Sequence, residues 1–543
     1  MVWNRFHLLL AAIYLMGLLL VGILSGRKKQ DSNQYLNASG ALPLWVCITA
    51  CIAANCGSLD VIAMMALGAQ YGMLACHFYW IGAIPALLVV AFWLLPAYAK
   101  GSYPTVLDFV ASHYGEQTRL LVSVCMAAMM LLLSGVCLCA VAQVLVTFLG
   151  WSFFEGVLVT APVVLLYTWA GGFRATVYTE LVHFAIVLIA IVPLCFLVVH
   201  DFGGMSALLA RIPPARLHVW QSLPAVAPGA VMDRLGVIVG LGLVLSFGFW
   251  GTDFVQMQRA LAVRRKQDVA YVSLGMAAAK LGFAFLIVLP GVAAPLVLRA
   301  GLGTNWNATL PTLILHYYSP AWVVIGVMGL AASLVSTFAN NVAGFSSAWV
   351  QGVYQPWIRP EASEAHYVRV SRLTNAAAIA LSIGAAYVAL SYQSLMEYMQ
   401  MIFSTFNAPL FALVGLAFVA PRRVRGSGVR GFCLGLGSAA LHQVLVHAGL
   451  LHYGSQMSAN FYAAMVGFSV AAVGTLALPA TGPTARCSLA PALCDPAHSA
   501  QNAEWAGQPE SCDGAGVARF PVPAVLLAVG IATVCIWLNV FFW

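Results

Sequence analysis

Apolar residues run through this chain in long unbroken stretches, not at the alternating or one-face spacing of half-buried strands and helices. A helix needs about 20 such residues to cross the hydrocarbon layer of a bilayer. Runs of that length predict fourteen spans, at 6–25, 43–70, 73–97, 120–148, 153–170, 179–199, 233–256, 272–298, 320–350, 373–391, 396–420, 431–451, 458–479 and 520–541. The links near Gly72 and Ser152 are the shortest. Arg27, Lys28 and Lys29 follow the first run directly. A cleaved signal peptide carries its charge before the apolar stretch, so a retained anchor is expected. The fold class is therefore an all-α polytopic membrane protein with 14 transmembrane helices.

Composition excludes the alternatives. Of 543 residues, 62% are hydrophobic and 8% charged, whereas a soluble domain carries about 25% charged residues. The net charge of +8 sits in short clusters between the runs, which marks orientation and not nucleic-acid binding. Alternate loops test the register. One side collects nineteen Lys and Arg, the other Arg5, Arg211, Arg216, Arg234 and Arg299, and Lys280 lies within a span. That asymmetry predicts a multi-pass protein of the plasma membrane with both termini outside. Most of the 13 cysteines lie in apolar runs; Cys487, Cys494 and Cys512 share the longest polar loop at a spacing that fits no zinc pattern. No segment is large enough for a fused soluble domain. No phosphate-binding lysine loop occurs.

Candidate chemistry lies in polar residues inside the apolar runs, because an ionisable group in hydrocarbon needs a cavity or a partner. The second run contains Ala53-Ala54-Asn55-Cys56-Gly57-Ser58-Leu59-Asp60. Such a small-residue cluster suits either a helix break that exposes carbonyls or close helix packing. Ser333, Ser336 and Thr337 in the ninth run share one helix face. Their hydroxyls suit a hard cation such as sodium, and equally hydrogen bonds between helices. Lys280 lies ten residues before Pro290, where solute contact and internal bracing both fit. Gln400 opens the eleventh run, and Glu180 and His183 lie near the inner edge of the sixth, where structural or gating roles suit them. No catalytic constellation can be assembled. The protein is expected to be a transporter or channel, not an enzyme, and no pore loop favours a channel.

Five segments together resemble the solute:sodium symporter family, most closely its sodium/sugar cotransporter branch. They are Trp45 to Gly72; Tyr167-Thr168-Trp169-Ala170-Gly171-Gly172-Phe173-Arg174-Ala175 to Glu180; Phe249-Trp250-Gly251-Thr252-Asp253 with Gln258-Arg259-Ala260; Lys280 to Pro290-Gly291; and Ala331 to Tyr354. The resemblance implies a leucine-transporter-type core of two inverted five-helix repeats. These would occupy 43–199 and 233–420, joined by an external loop at 200–232. A peripheral helix in 1–30, peripheral helices in 421–480, a cytoplasmic loop at 481–519 and a last helix at 520–543 would complete the chain.

By the same resemblance, sodium would meet the carbonyls of Ala53, Cys56 and Ser333 and the hydroxyls of Ser336 and Thr337, with Glu180 on its path. The solute would meet Asp60, Trp80 (or Tyr79 one position away), Ser246, Phe249, Lys280 and Gln400. Asp60 is acidic where the branch carries Gln or His, and Trp80 and Ser246 replace its Glu and Asn. The implied function is sodium-coupled symport of a small polar solute, a sugar or polyol, by alternating access. No cofactor beyond Na+ as coupling ion is implied; the partners are the solute, the ion and the lipid bilayer, without nucleic acid. A monomer suffices and an oligomer is compatible. Uptake of an amino acid, carboxylate or cation, or a transporter-derived sensor or channel-like protein, are the alternatives. Asp60 and Lys280, one from each repeat, are expected to approach closely, since two isolated buried charges would each cost several kcal/mol.

Overall fold

The computed structural model describes residues 42–100, 105–170, 173–220, 232–298, 305–420, 424, 427–477 and 521–543. The first expected span, its basic cluster and the 481–519 loop with its cysteines lie outside these residues. The principal helices are α1 (Leu44–Asn55), α2 (Ser58–Tyr71), α3 (Phe78–Leu94), α4 (Glu116–Leu149), α5 (Phe153–Ala170), α6 (Phe173–Asp201) and α7 (Gly236–Thr252). They continue with α8 (Val269–Leu298), α9 (Pro320–Ile358), α10 (Glu364–Leu390), α11 (Leu395–Val419), α12 (Gly428–His447), α13 (Gln456–Ala477) and α14 (Val522–Phe541). Each expected run from residue 43 onward contains helix. Among the described residues, ten helical stretches are long and apolar enough to cross a membrane, and α1, α3, α7 and Phe153–Leu165 are shorter apolar helices.

The ends of these helices follow local chemistry. Pro320 occupies the first turn of α9, where its missing N–H costs nothing. Gly150 closes α4 in the left-handed conformation, φ 70°, which a side chain disfavours. The link near Gly72 is a short 3-10 turn, Gly72–Cys76, that bends α2 toward α3. Wider π-helical turns occupy Phe78–Ala83 in α3 and Gly236–Leu245 in α7. In both places the face presented to the core departs from simple 3.6-residue periodicity.

Lipid-facing helices such as α14 expose Leu526, Val529 and Ile536, while α2 is buried on nearly every side. Without water to drive helices together, small residues at the contacts let backbones approach. A Cβ on Gly68 would stand 2.6 Å from the Val288 carbonyl oxygen, and one on Gly291 would collide with the Met65 carbonyl. The backbones of α2 and α8 therefore touch.

Candidate solute and ion site

The second expected span is two helices. α1 ends at Asn55, Gly57 is extended, and α2 begins at Ser58. A cap for the new N-terminus comes from across the bundle: the Ser58 backbone N–H donates to Ser333 Oγ of α9 at 3.0 Å. Gly57 leaves room for oxygens to converge. A Cβ there would lie 3.1 Å from Ala53 O, 3.2 Å from Ser333 Oγ and 3.7 Å from Thr337 Oγ1. Thr337 Oγ1 donates to the Ser333 carbonyl at 3.0 Å. The hydroxyls of Ser336 and Ser58 are buried without a protein partner, a condition that asks for a ligand. Carbonyls at a half-helix C-terminus and nearby hydroxyls form a ligand set suited to a hard monovalent cation. Cys56 lies buried at the break itself.

A central cavity of about 160 Å³, open on one side, adjoins the break. Asp60, Ser246, Phe249, Lys280 and Gln400 all line it. Lys280 Nζ lies 3.4 Å from Asp60 Oδ2, so the expected pair forms. The Tyr79 hydroxyl donates to the same oxygen at 2.8 Å. The ammonium also sits over the rings of Tyr79 and Trp250, 4.4 and 5.8 Å from their centroids, which favours a cation. Phe249 packs on Phe403 with ring centroids 5.1 Å apart. The Ser246 hydroxyl donates to Leu241 O at 2.7 Å, leaving its oxygen free only to accept.

Trp80 is a correction. It is fully buried and packs against Phe285 and Phe542, with centroids at 5.7 and 5.9 Å, and it does not line the cavity. Tyr79 does. The two neighbours point in different directions on the helical turn Phe78–Ala83, and Tyr79 is the one that faces the cavity.

Polar clusters flank the cavity at both ends. Arg259 clasps Glu180, with Nε to Oε2 at 3.1 Å and Nη2 to Oε1 at 2.6 Å. Asn340 of α9, which lines the cavity, also donates to Glu180. Arg259 counted as a loop charge in the sequence; it is buried. Toward the other end Glu397, one turn before Gln400, accepts from Tyr71 at 2.8 Å and Gln70 at 3.1 Å. Arg216, also expected in a loop, is buried and donates to the carbonyls of Gly68 and Ala69 at the end of α2. Arginine suits this place, because the last carbonyls of a helix lack partners. Asp253, Gln256, Asn340 and Asn341 line the cavity although the sequence did not single them out as site residues. The one available hint was their position inside or beside the shared motif segments.

Comparison with known proteins places the fold and the family. Residues 35–435 match the Sodium:solute symporter family. The sodium/glucose cotransporter of Vibrio parahaemolyticus is 25% identical over 396 residues, covering 68% of this chain and 72% of that protein. Sodium/glucose cotransporter 1 of Ovis aries is 24% identical over 485 residues, covering 80% of this chain and 71% of that protein. In fold, the chain is similar to a Na+-coupled sialic acid symporter, with TM-score 0.72 and 16% identity over 89% of this chain and all of that one. An all-α membrane fold of the inverted-repeat transporter type, a helix broken beside converging oxygens and a family match over most of the chain agree. The chain belongs to the sodium:solute symporter family, and it is a secondary active transporter that couples sodium to the movement of a small polar organic solute.

Proposed function

We propose that the solute is a sugar or polyol, bound in the central cavity between the Asp60–Lys280–Tyr79 group and the aromatic wall of Phe249 and Phe403. The observation that carries this reading is the cavity itself. It offers charged and amide groups to hydroxyls on one side and ring faces to carbon on the other. The named relatives, which are sodium/glucose cotransporters, support it.

Sodium is assigned to the carbonyls of Ala53, Cys56 and Ser333 with the hydroxyls of Ser336 and Thr337. The convergence of oxygens at Gly57 and the orphaned Ser336 hydroxyl support that assignment. Glu180 is placed on the ion's inner path, where Arg259 and Asn340 hold it.

Fourteen spans with inverted repeats at 43–199 and 233–420 complete the architecture, in the plasma membrane with both termini outside. Charge asymmetry supports the orientation. So does the contact between the chain's end and the loop expected outside: Val219 N–H donates to Phe542 O at 2.9 Å, and His218 meets Trp543 O. A charge crossing 100 mV releases about 2.3 kcal/mol, and with 1.4 kcal/mol per tenfold this supports roughly fifty-fold accumulation before the sodium gradient is added.

The test is uptake of radiolabelled glucose, galactose, mannitol and myo-inositol into proteoliposomes with an inward sodium gradient. Concentrative uptake that collapses when sodium is replaced by choline is expected for at least one of them. Sodium-driven uptake of none of the four would overturn the reading.

A further inference from the structure

We propose that the site accepts neutral, hydroxyl-rich solutes and rejects their carboxylate-bearing counterparts, with Asp60 as the discriminating group. The proposal rests on the sugar-or-polyol reading and adds a charge rule to it. The Asp60–Lys280 pair is neutral as a whole, but its two ends are not equally presented. The Lys280 side chain is 3% exposed and that of Asp60 is 17% exposed. Lys280 is drawn back under the faces of Tyr79 and Trp250. The negative end of the pair therefore meets the solute.

Hydrogen bonding points the same way. Oδ2 of Asp60 receives both Lys280 Nζ and the Tyr79 hydroxyl. Among the described residues no donor reaches Oδ1. An ionised carboxylate only accepts, so the atom left for the solute asks for a hydroxyl hydrogen. Ser246 on α7 also accepts only, its hydrogen being held by Leu241 O. A sugar or polyol can donate to both without changing the charge of the site.

A solute carboxylate does neither. It offers no hydrogen to Oδ1, and it sets a second anion against Asp60 where Lys280 is already engaged. Like charges facing each other in a binding site cost several kcal/mol, and rejection by such a clash is a common source of specificity. At 1.4 kcal/mol per tenfold, discrimination of about a hundredfold or more is expected.

The experiment compares matched solutes on the full chain in proteoliposomes: glucose with glucuronate and glucuronamide, and galactose with galacturonate and galacturonamide. Sodium-driven uptake of the neutral sugar is expected at an efficiency about a hundredfold or more above its uronate. The amide, which keeps the size of the acid without its charge, should recover most of the loss. In Asp60→Asn the gap should shrink to less than about tenfold. Because that change leaves Lys280 without its partner, Asp60→Asn with Lys280→Gln is the second variant, and the same narrowing is expected.

Equal uptake of sugar and uronate by the unmodified chain would overturn the charge rule while leaving the sugar reading intact. Uptake of the amide as poor as that of the acid would assign the rejection to size and overturn the rule as well. A gap that persists in both variants would remove Asp60 as its source. Transport of none of these solutes or the polyols would overturn the rule together with the reading beneath it.

Discussion

Arg259 and Glu180 meet through two hydrogen bonds, 3.1 and 2.6 Å long, with side chains only 2% and 4% exposed. A pair so deeply buried is bound to its geometry, because either charge alone would be left in a medium that cannot solvate it. Removing one partner of such a pair typically costs 3–5 kcal/mol. Arg259→Met is therefore expected to lower stability by about 3–5 kcal/mol in unfolding titrations in mixed micelles. The double change with Glu180→Gln should recover much of the loss, and a double variant as damaged as the sum of the two singles would show no coupling.

The pairing of Asp60 with Lys280 makes a parallel prediction at the cavity. Asp60→Asn and Lys280→Met should each destabilise the protein, and together they should cost less than the sum. A coupling of about 0.5–3 kcal/mol is expected from a double-mutant cycle on unfolding. Coupling of zero with both single variants well folded would mean that each charge is solvated independently.

Ser336→Ala and Thr337→Ala each remove one hydroxyl and put a better helix former in its place. Expression and thermal stability should barely change. The sodium concentration for half-maximal uptake should rise about tenfold for each, equivalent to about 1.4 kcal/mol of lost ion binding. Unchanged sodium dependence in both would displace the ion from this part of α9.

Glycine contacts offer a contrast within one helix. A Cβ on Gly291 would collide with the Met65 carbonyl, whereas one on Gly282 meets nothing within 4 Å. Gly291→Ala is expected to destabilise by about 1–3 kcal/mol through overpacking. Gly282→Ala should be neutral or stabilising by up to about 1 kcal/mol, as for an ordinary helix interior. Equal effects would mean that α2 and α8 separate readily.

Orientation can be read by labelling. Ser206, in the link between α6 and α7, and Arg430, in the first turn of α12, are both exposed and are assigned to opposite sides. In intact cells an impermeant maleimide should modify Ser206→Cys and spare Arg430→Cys, with the unmodified chain as the blank. Reversed labelling would invert the topology.

The helices were legible because apolar runs of sufficient length have one solution in a bilayer. The break at Cys56–Gly57 was legible as one of two readings, since a cluster of small and polar residues can either open a helix or pack it. Asp60 and Lys280 stood out because charge inside an apolar run has to be accommodated. What escaped was whatever depends on the exact rotation or depth of a helix. Tyr79, and not its neighbour Trp80, faces the cavity, a difference of one position along the helix. Arg259 and Arg216 lie beside runs rather than inside them, so counting along the chain assigned them to loops although both are buried. Glu397 sits at the first turn of α11, where a carboxylate looks like an ordinary surface residue, and only the arrival of Gln70 and Tyr71 from α2 shows otherwise.

The close approach of α2 and α8 has a consequence for how the cavity changes sides. Where Gly68 and Gly291 bring two backbones together, no layer of side chains remains for one helix to slide over. Such packing suits movement of the two helices as one block. Asp60 is mounted on α2 and Lys280 on α8, so in such a movement the charged pair would keep its geometry. Phe249 and Phe403 belong to α7 and α11, outside it. Alternating exposure of the cavity would thus move an aromatic wall past a fixed electrostatic one, and the solute's hydroxyls would keep their partners while its carbon face changes neighbours.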